Sequence, residues 1–159
     1  MNRKLAAILA AITLMFVLGA CKHSGVAVTE KAQAVDIDID APADLAEGQT
    51  GTVRVKVRNV GFNNLANTII QVEFPSELSV MSEDHGRGMM VVSGVAPNGN
   101  VLYQYDVGDI EITQDSTASF QVRARFGTRD RTGDIKALVW NEDLPGQRLI
   151  ETKAITLRR

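Results

Sequence analysis

The sequence predicts an all-β chain folded as a two-layer antiparallel sandwich, and three observations carry that prediction. Several segments alternate apolar and polar residues with a period of two. Turn-forming residues separate those segments at short intervals. No window after the first twenty residues sustains a helical period. A strand with one buried and one wet face belongs to an antiparallel sheet, so these segments pack as layers about a shared core.

The chain begins with a different kind of element. Arg3 and Lys4 open it, an apolar run follows from Leu5 to Leu18, and small residues close it: the pattern of an export signal. As a helix that run rises about 21 Å, short of a hydrocarbon core of roughly 30 Å, so it makes a poor permanent span. Residues 1–20 are therefore expected to be a cleaved helical leader. Residues 21–33 are small, polar and unpatterned, as a tether is. The domain is expected over 34–159. Val35, Ile37 and Ile39 alternate with Asp36, Asp38 and Asp40; Val53, Val55 and Val57 alternate with Arg54, Lys56 and Arg58. Ile70, Val72 and Phe74 alternate with Gln71 and Glu73, and Phe120, Val122, Ala124 and Phe126 with Gln121, Arg123 and Arg125. Shorter β-rich runs lie at 78–81, 90–92, 102–107, 135–140 and 149–157. Turns are expected at Asn59-Val60-Gly61, Asn98-Gly99-Asn100, Thr132-Gly133 and Pro145-Gly146. About seven to nine strands at this spacing make an immunoglobulin-like β-sandwich, without the cysteine pair of antibody domains.

Leu18-Gly19-Ala20-Cys21 resembles the lipidation signal of bacterial lipoproteins. That resemblance implies a diacylglyceryl thioether on Cys21, cleavage before it and acylation of the new amine, which would make Cys21 a membrane anchor. It also accounts for a single cysteine in an exported chain. Lys22 resembles the outer-membrane rather than the inner-membrane sorting default. Thr50-Gly51-Thr52-Val53-Arg54-Val55-Lys56-Val57-Arg58-Asn59-Val60-Gly61 resembles the strand signature of bacterial Ig-like surface modules of the CARDB type, a cell-adhesion-related domain. Ala66 to Leu78, Tyr105 to Ile110 and Ser116 to Phe120 follow in the order of those modules. The resemblance implies a non-catalytic binding or scaffolding domain at the cell envelope. Its alternatives are an accessory subunit of a larger envelope complex, or a module for a glycan or other polymer.

Charge and chemistry narrow the field further. The chain has 17 basic and 19 acidic side chains; without Arg3 and Lys4 the remaining 15 against 19 give −4. Mild acidity argues against nucleic acid as a partner. With only His23 and His85, no histidine metal cluster can be assembled, and no metal or cofactor is expected. No catalytic residue is assigned, because a triad needs a histidine poised against a nucleophile and His85 stands in a glycine-rich stretch. Alternate residues on a strand are about 6.8 Å apart, so Asp36, Asp38 and Asp40 cannot converge on one calcium. They are expected to face Arg54, Lys56 and Arg58 across a sheet, each cross-strand pair contributing roughly 0.2–1 kcal/mol. Asp106, Asp109, Glu111 and Asp115 read as solvated loop charge. Ser82 to Met90 reads as a long exposed loop whose methionines return to the core; His85, Arg87, Met89 and Met90 are its candidate partner-binding residues. Trp140, on the face opposite Ala137 and Val139, is expected in the core or at a sheet edge, the alternative being an exposed stacking residue for a sugar or a partner.

Overall fold

A computed structural model describes residues 26–28, 34–127, 130–142, 146 and 148–159. The leader, its Leu18-Gly19-Ala20 motif, Cys21, His23 and Pro145 of the expected Pro145-Gly146 turn lie outside the described residues. The described chain is all β, as the alternation requires. Its strands are β1 (Val26–Val28), β2 (Ala34–Asp40), β3 (Asp44–Ala46), β4 (Thr50–Asn59), β5 (Leu65–Phe74) and β6 (Leu78–Asp84). β7 (Met89–Val95), β8 (Val101–Ile110), β9 (Asp115–Ala124), β10 (Arg131–Asn141) and β11 (Leu149–Arg158) complete the set.

The strands form two sheets, ordered β1-β2-β4-β9-β6 and β3-β11-β10-β5-β8-β7. All pairs are antiparallel except β3 with β11. The two layers meet through the inward residues of each alternating strand. Val53, Val55 and Val57 of β4 and Phe120 and Val122 of β9 face Ile70, Val72 and Phe74 of β5, with Ile135, Ala137, Ile155 and Leu157 beside them, all buried. Phe74 and Phe120 meet edge-on with ring centroids 5.0 Å apart, and Tyr103 and Tyr105 close on Phe120 at 5.7 and 6.1 Å. Edge and tilted ring contacts add about 0.5–1.5 kcal/mol each to the area they bury.

The expected charge ladder is present in register. Asp36 stands opposite Arg58, Asp38 opposite Lys56 and Asp40 opposite Arg54, with β9 on the far side of β4. Lys56 closes an ion pair with Asp115 of β9, at 2.7 Å. Trp140 is 7% exposed and sits with Ile69 and Leu138 on the outer face of its sheet, opposite Ala137 and Val139 in the core. The Arg148 guanidinium lies 4.6 Å from its ring centroid.

Asn59 explains why the β4–β5 turn carries an asparagine. The residue is buried, and its side chain joins two loops. Nδ2 donates to the Asn63 carbonyl at 2.8 Å and the Ile110 carbonyl at 2.9 Å, and Oδ1 accepts from Gly61 N at 3.0 Å. Both donors and one acceptor are thereby used inside the protein, where an unpaired polar group is costly.

Four expectations are corrected by the fold. Phe126 is 80% exposed instead of buried: β9 ends at Ala124, Arg125 N bonds Glu77 O, and the Phe126 ring lies over Gly48. Thr132 and Gly133 lie within β10 and form no turn, and Gly133 is needed there because Pro75 leaves no room for a Cβ. The stretch from Ser82 to Met90 is two strands joined by a tight turn, not a long loop, and its methionines do not return to the core. Val26–Val28, within the stretch read as a tether, pair with Ala34–Asp36 of β2.

Candidate interaction edge

The charge pattern of the sequence singles out one hairpin. Between Arg87 and Asp106 there is no Asp, Glu, Lys or Arg, in a chain whose residues are 23% charged. That stretch holds all of β7, its connection Ala96–Asn100 and the first half of β8. The connection turns where its residue types dictate: Asn98 Oδ1 accepts from Asn100 N at 3.0 Å, and Gly99 takes a φ of +84°.

The turn that delivers the chain into β7 is equally specified. Asp84 Oδ1 accepts from Gly86 N at 2.9 Å, Gly86 takes a φ of +57°, and Gly88 N donates to the His85 carbonyl at 2.9 Å. Arg87 Nη2 donates to the Asp109 carbonyl at 2.6 Å and ties the turn to β8. His85 is half-buried with its ring centroid 4.8 Å from that of Tyr105. Tyr105 itself is buried. Desolvation first, then the nearby Glu83 carboxylate, hold its proton well above the ordinary phenol range. Glu83 approaches without closing a hydrogen bond of ordinary geometry: among the described residues neither the Tyr105 hydroxyl nor His85 Nδ1 has a hydrogen-bond partner. Burial, followed by Glu83, also raises Tyr103.

Among the described residues β7 is the last strand of its sheet, with β8 as its strand neighbour there. Every one of its seven residues is exposed. Met89 and Val95 are 67% and 73% exposed, and Met90, Val91 and Val92 are exposed beside them. The register assigns faces. Val92 and Gly94 stand opposite Gln104 and Leu102 on the outer face, and Ser93 and Val95 opposite Tyr103 and Val101 on the inner. The inner positions remain exposed, so β7 overhangs the opposite layer. A bulge between Met90 and Val92 sets Val91 out of register. Edge strands are ordinarily guarded by Lys, Pro or inward charge; Val92–Val95 carries none of these.

The predicted binding residues thus split. His85 and Arg87 build the turn and face inward or along it, whereas Met89 and Met90 open the exposed strand. Val92, Ser93, Gly94 and Val95 escaped the sequence reading, although the missing charge after Arg87 was a signal. The acidic residues serve local structure. Asp106 accepts from Gly108 N at 2.8 Å, Asp109 from Asn67 N at 3.0 Å, and Glu111 from Gln114 Nε2 at 3.0 Å. Among the described residues no group of three or more His, Cys, Asp or Glu side chains is placed to hold a metal ion. A cavity of about 250 Å³ on the other side of the molecule is lined by Asp36, Ile37, Asp38, Lys56, Arg58 and Glu151.

No family model and no curated protein matches the sequence. The fold, by contrast, recurs in solved structures. A cohesin module from a Clostridium perfringens family 33 glycoside hydrolase is 12% identical with a TM-score of 0.56, over 79% of this chain and 98% of that one. AvmM, which catalyses macrocyclization in alchivemycin A biosynthesis, is 15% identical with a TM-score of 0.54, over 80% and 89%. The CARDB domain of a Pyrococcus furiosus protein, solved with di-metal ions, is 12% identical with a TM-score of 0.51, over 82% and 93%. The resemblance to CARDB-type Ig-like modules is therefore present at the level of the fold. A cohesin module, a CARDB domain and a macrocyclization catalyst share that fold, so the function must be argued from the site.

Proposed function

We propose that this chain is a lipid-anchored envelope module that works by binding, without catalysis, and that the β7 edge is its contact surface. The observation that carries the reading is a seven-residue edge strand with both faces exposed and no charge. Open edges of this kind accept an added strand: the backbone supplies the hydrogen bonds and the alternating side chains supply selectivity. The anchor is Cys21, by its lipobox-like context, and the membrane is the bacterial envelope, with the outer membrane favoured by Lys22. An accessory-subunit role in a larger envelope complex fits the same edge. The glycan reading has less support, since Trp140 is buried under Arg148 and offers no stacking platform. The non-catalytic reading is supported by His85, whose ring packs on Tyr105.

The test uses the full chain in bacterial membranes, with a photo-crosslinking residue at Val92 or, as a control, at Thr117 on the other sheet. A discrete adduct from Val92 alone, and loss of Cys21→Ala from the membrane fraction, are expected. Equal adducts from both positions would sink the edge assignment. Normal membrane attachment of Cys21→Ala would sink the anchor.

A further inference from the structure

We propose that β7 pairs antiparallel with β7 of a second copy of this chain, about a two-fold axis through Ser93. The proposal rests on the edge being a contact surface but not on the anchor. Self-pairing requires a strand that complements itself, and three features of β7 meet that requirement. With the axis at Ser93, Val92 of each copy falls opposite Gly94 of the other, and both lie on the outer face. Gly94 leaves the space for it: no atom lies within 4 Å of where its Cβ would be. Val95 then falls opposite Val91, apolar against apolar, beyond the straight stretch that follows the bulge.

Charge supports the same occupant. β7 carries no charged side chain, so two copies meeting along it bring no like charges together. The antiparallel arrangement sets Met89 and Met90 of each copy beside the Val95–Ala96 end of the other. Arg87 and Asp106 of the two copies are thereby kept apart at opposite ends of the seam. A standard interface buries about 800 Å² on each partner, more than a short strand pairing supplies, so the dimer is expected to be weak and concentration-dependent. Confinement to a membrane surface would raise the effective concentration that such a dimer needs.

The test exploits the single cysteine. In a full-length Cys21→Ala background, solubilised in mild detergent, Val92→Cys, Ser93→Cys, Gly94→Cys and Val95→Cys are oxidised gently beside Thr117→Cys. The same set is run in membranes with Cys21 intact. A disulfide-linked dimer is expected from Ser93→Cys, which faces itself across the axis, and from an equimolar mixture of the Val92→Cys and Gly94→Cys chains, which face each other, but not from Val92→Cys or Gly94→Cys alone, Val95→Cys or Thr117→Cys. Adding Gly94→Val, which fills the space for Val92, to Ser93→Cys should abolish its dimer while leaving the thermal midpoint unchanged. Sedimentation of the chain without added cysteines should show a mass that rises toward twice the monomer with concentration, which covers the case of a cysteine variant that misfolds. Dimer no greater from β7 than from Thr117→Cys, a monomer at every concentration, or β7 crosslinks to a different protein would overturn the proposal. Loss of membrane attachment alone would leave it standing.

Discussion

Replacing Asn59 by alanine removes three hydrogen bonds at once, and the structure fixes what each removal leaves behind. Gly61 N and the Ile110 carbonyl lose their partners inside the protein, and the Asn63 carbonyl loses one at the boundary. A typical bond contributes about 0.5–1.5 kcal/mol, and stranding a buried partner raises the cost of removing it. Two buried losses and one partial loss therefore come to about 3 kcal/mol. For a domain of this size that lowers the thermal midpoint by about 10–15 °C. Asn59→Asp adds a sign that alanine lacks. A carboxylate would face two carbonyl oxygens, which raises its pKa in the folded state. Such a group stabilises below its unfolded pKa and loses that contribution as pH rises through the folded value. Asn59→Asp should thus unfold more readily at neutral pH than at mildly acidic pH, whereas Asn59→Ala should follow the parent. The assay is urea and thermal unfolding followed by circular dichroism across that pH range. A midpoint for Asn59→Ala within about 2 °C of the parent would refute the assignment of these bonds as stabilising.

Three further outcomes are expected. Thr113 holds a φ of +68° at the β8–β9 turn, a strained conformation for a β-branched residue, so Thr113→Gly should raise stability by about 1 kcal/mol in urea titration. At Gly133 an added Cβ would stand 2.7 and 2.9 Å from Pro75 ring carbons, so Gly133→Ala should cost about 1–3 kcal/mol in the same assay. The raised pKa of Tyr105 means that folding holds its proton. The contribution of Tyr105 to stability should be constant up to the ordinary phenol range near pH 10 and be lost as pH climbs toward the folded value; Tyr105→Phe should remove part of the alkaline fall, and Tyr103 contributes in the same direction.

The parts of the fold that were legible in the sequence are those where burial differs sharply between faces. β2, β4 and β9 alternate cleanly because one face meets the core and the other meets water. Their neighbour relations then placed Asp36, Asp38 and Asp40 opposite Arg58, Lys56 and Arg54. β3 could not be read, since three residues with a single inward Leu45 show no period. β7 was obscured for the opposite reason: Met-Met-Val-Val lacks polar alternation because neither face of the overhanging strand is covered. Phe126 shows how far a pattern can run past its strand. Its period continues that of Phe120, Val122 and Ala124, but the backbone leaves the sheet at Arg125 to bond Glu77. Asn59 was visible as a turn residue, yet its side-chain bond to Ile110 spans 51 positions and no local pattern records it. The candidate edge was half legible: Met89 and Met90 were singled out, while Val92–Val95 needed the sheet order to be seen as an open edge.

The proposed role depends most on what Cys21 carries. Intact-mass and fragment analysis of the native protein, extracted from the membranes of its host, reads this directly. The account predicts a chain that begins at Cys21 with a diacylglyceryl thioether and an acylated amine. An unmodified thiol at Cys21 would contradict it.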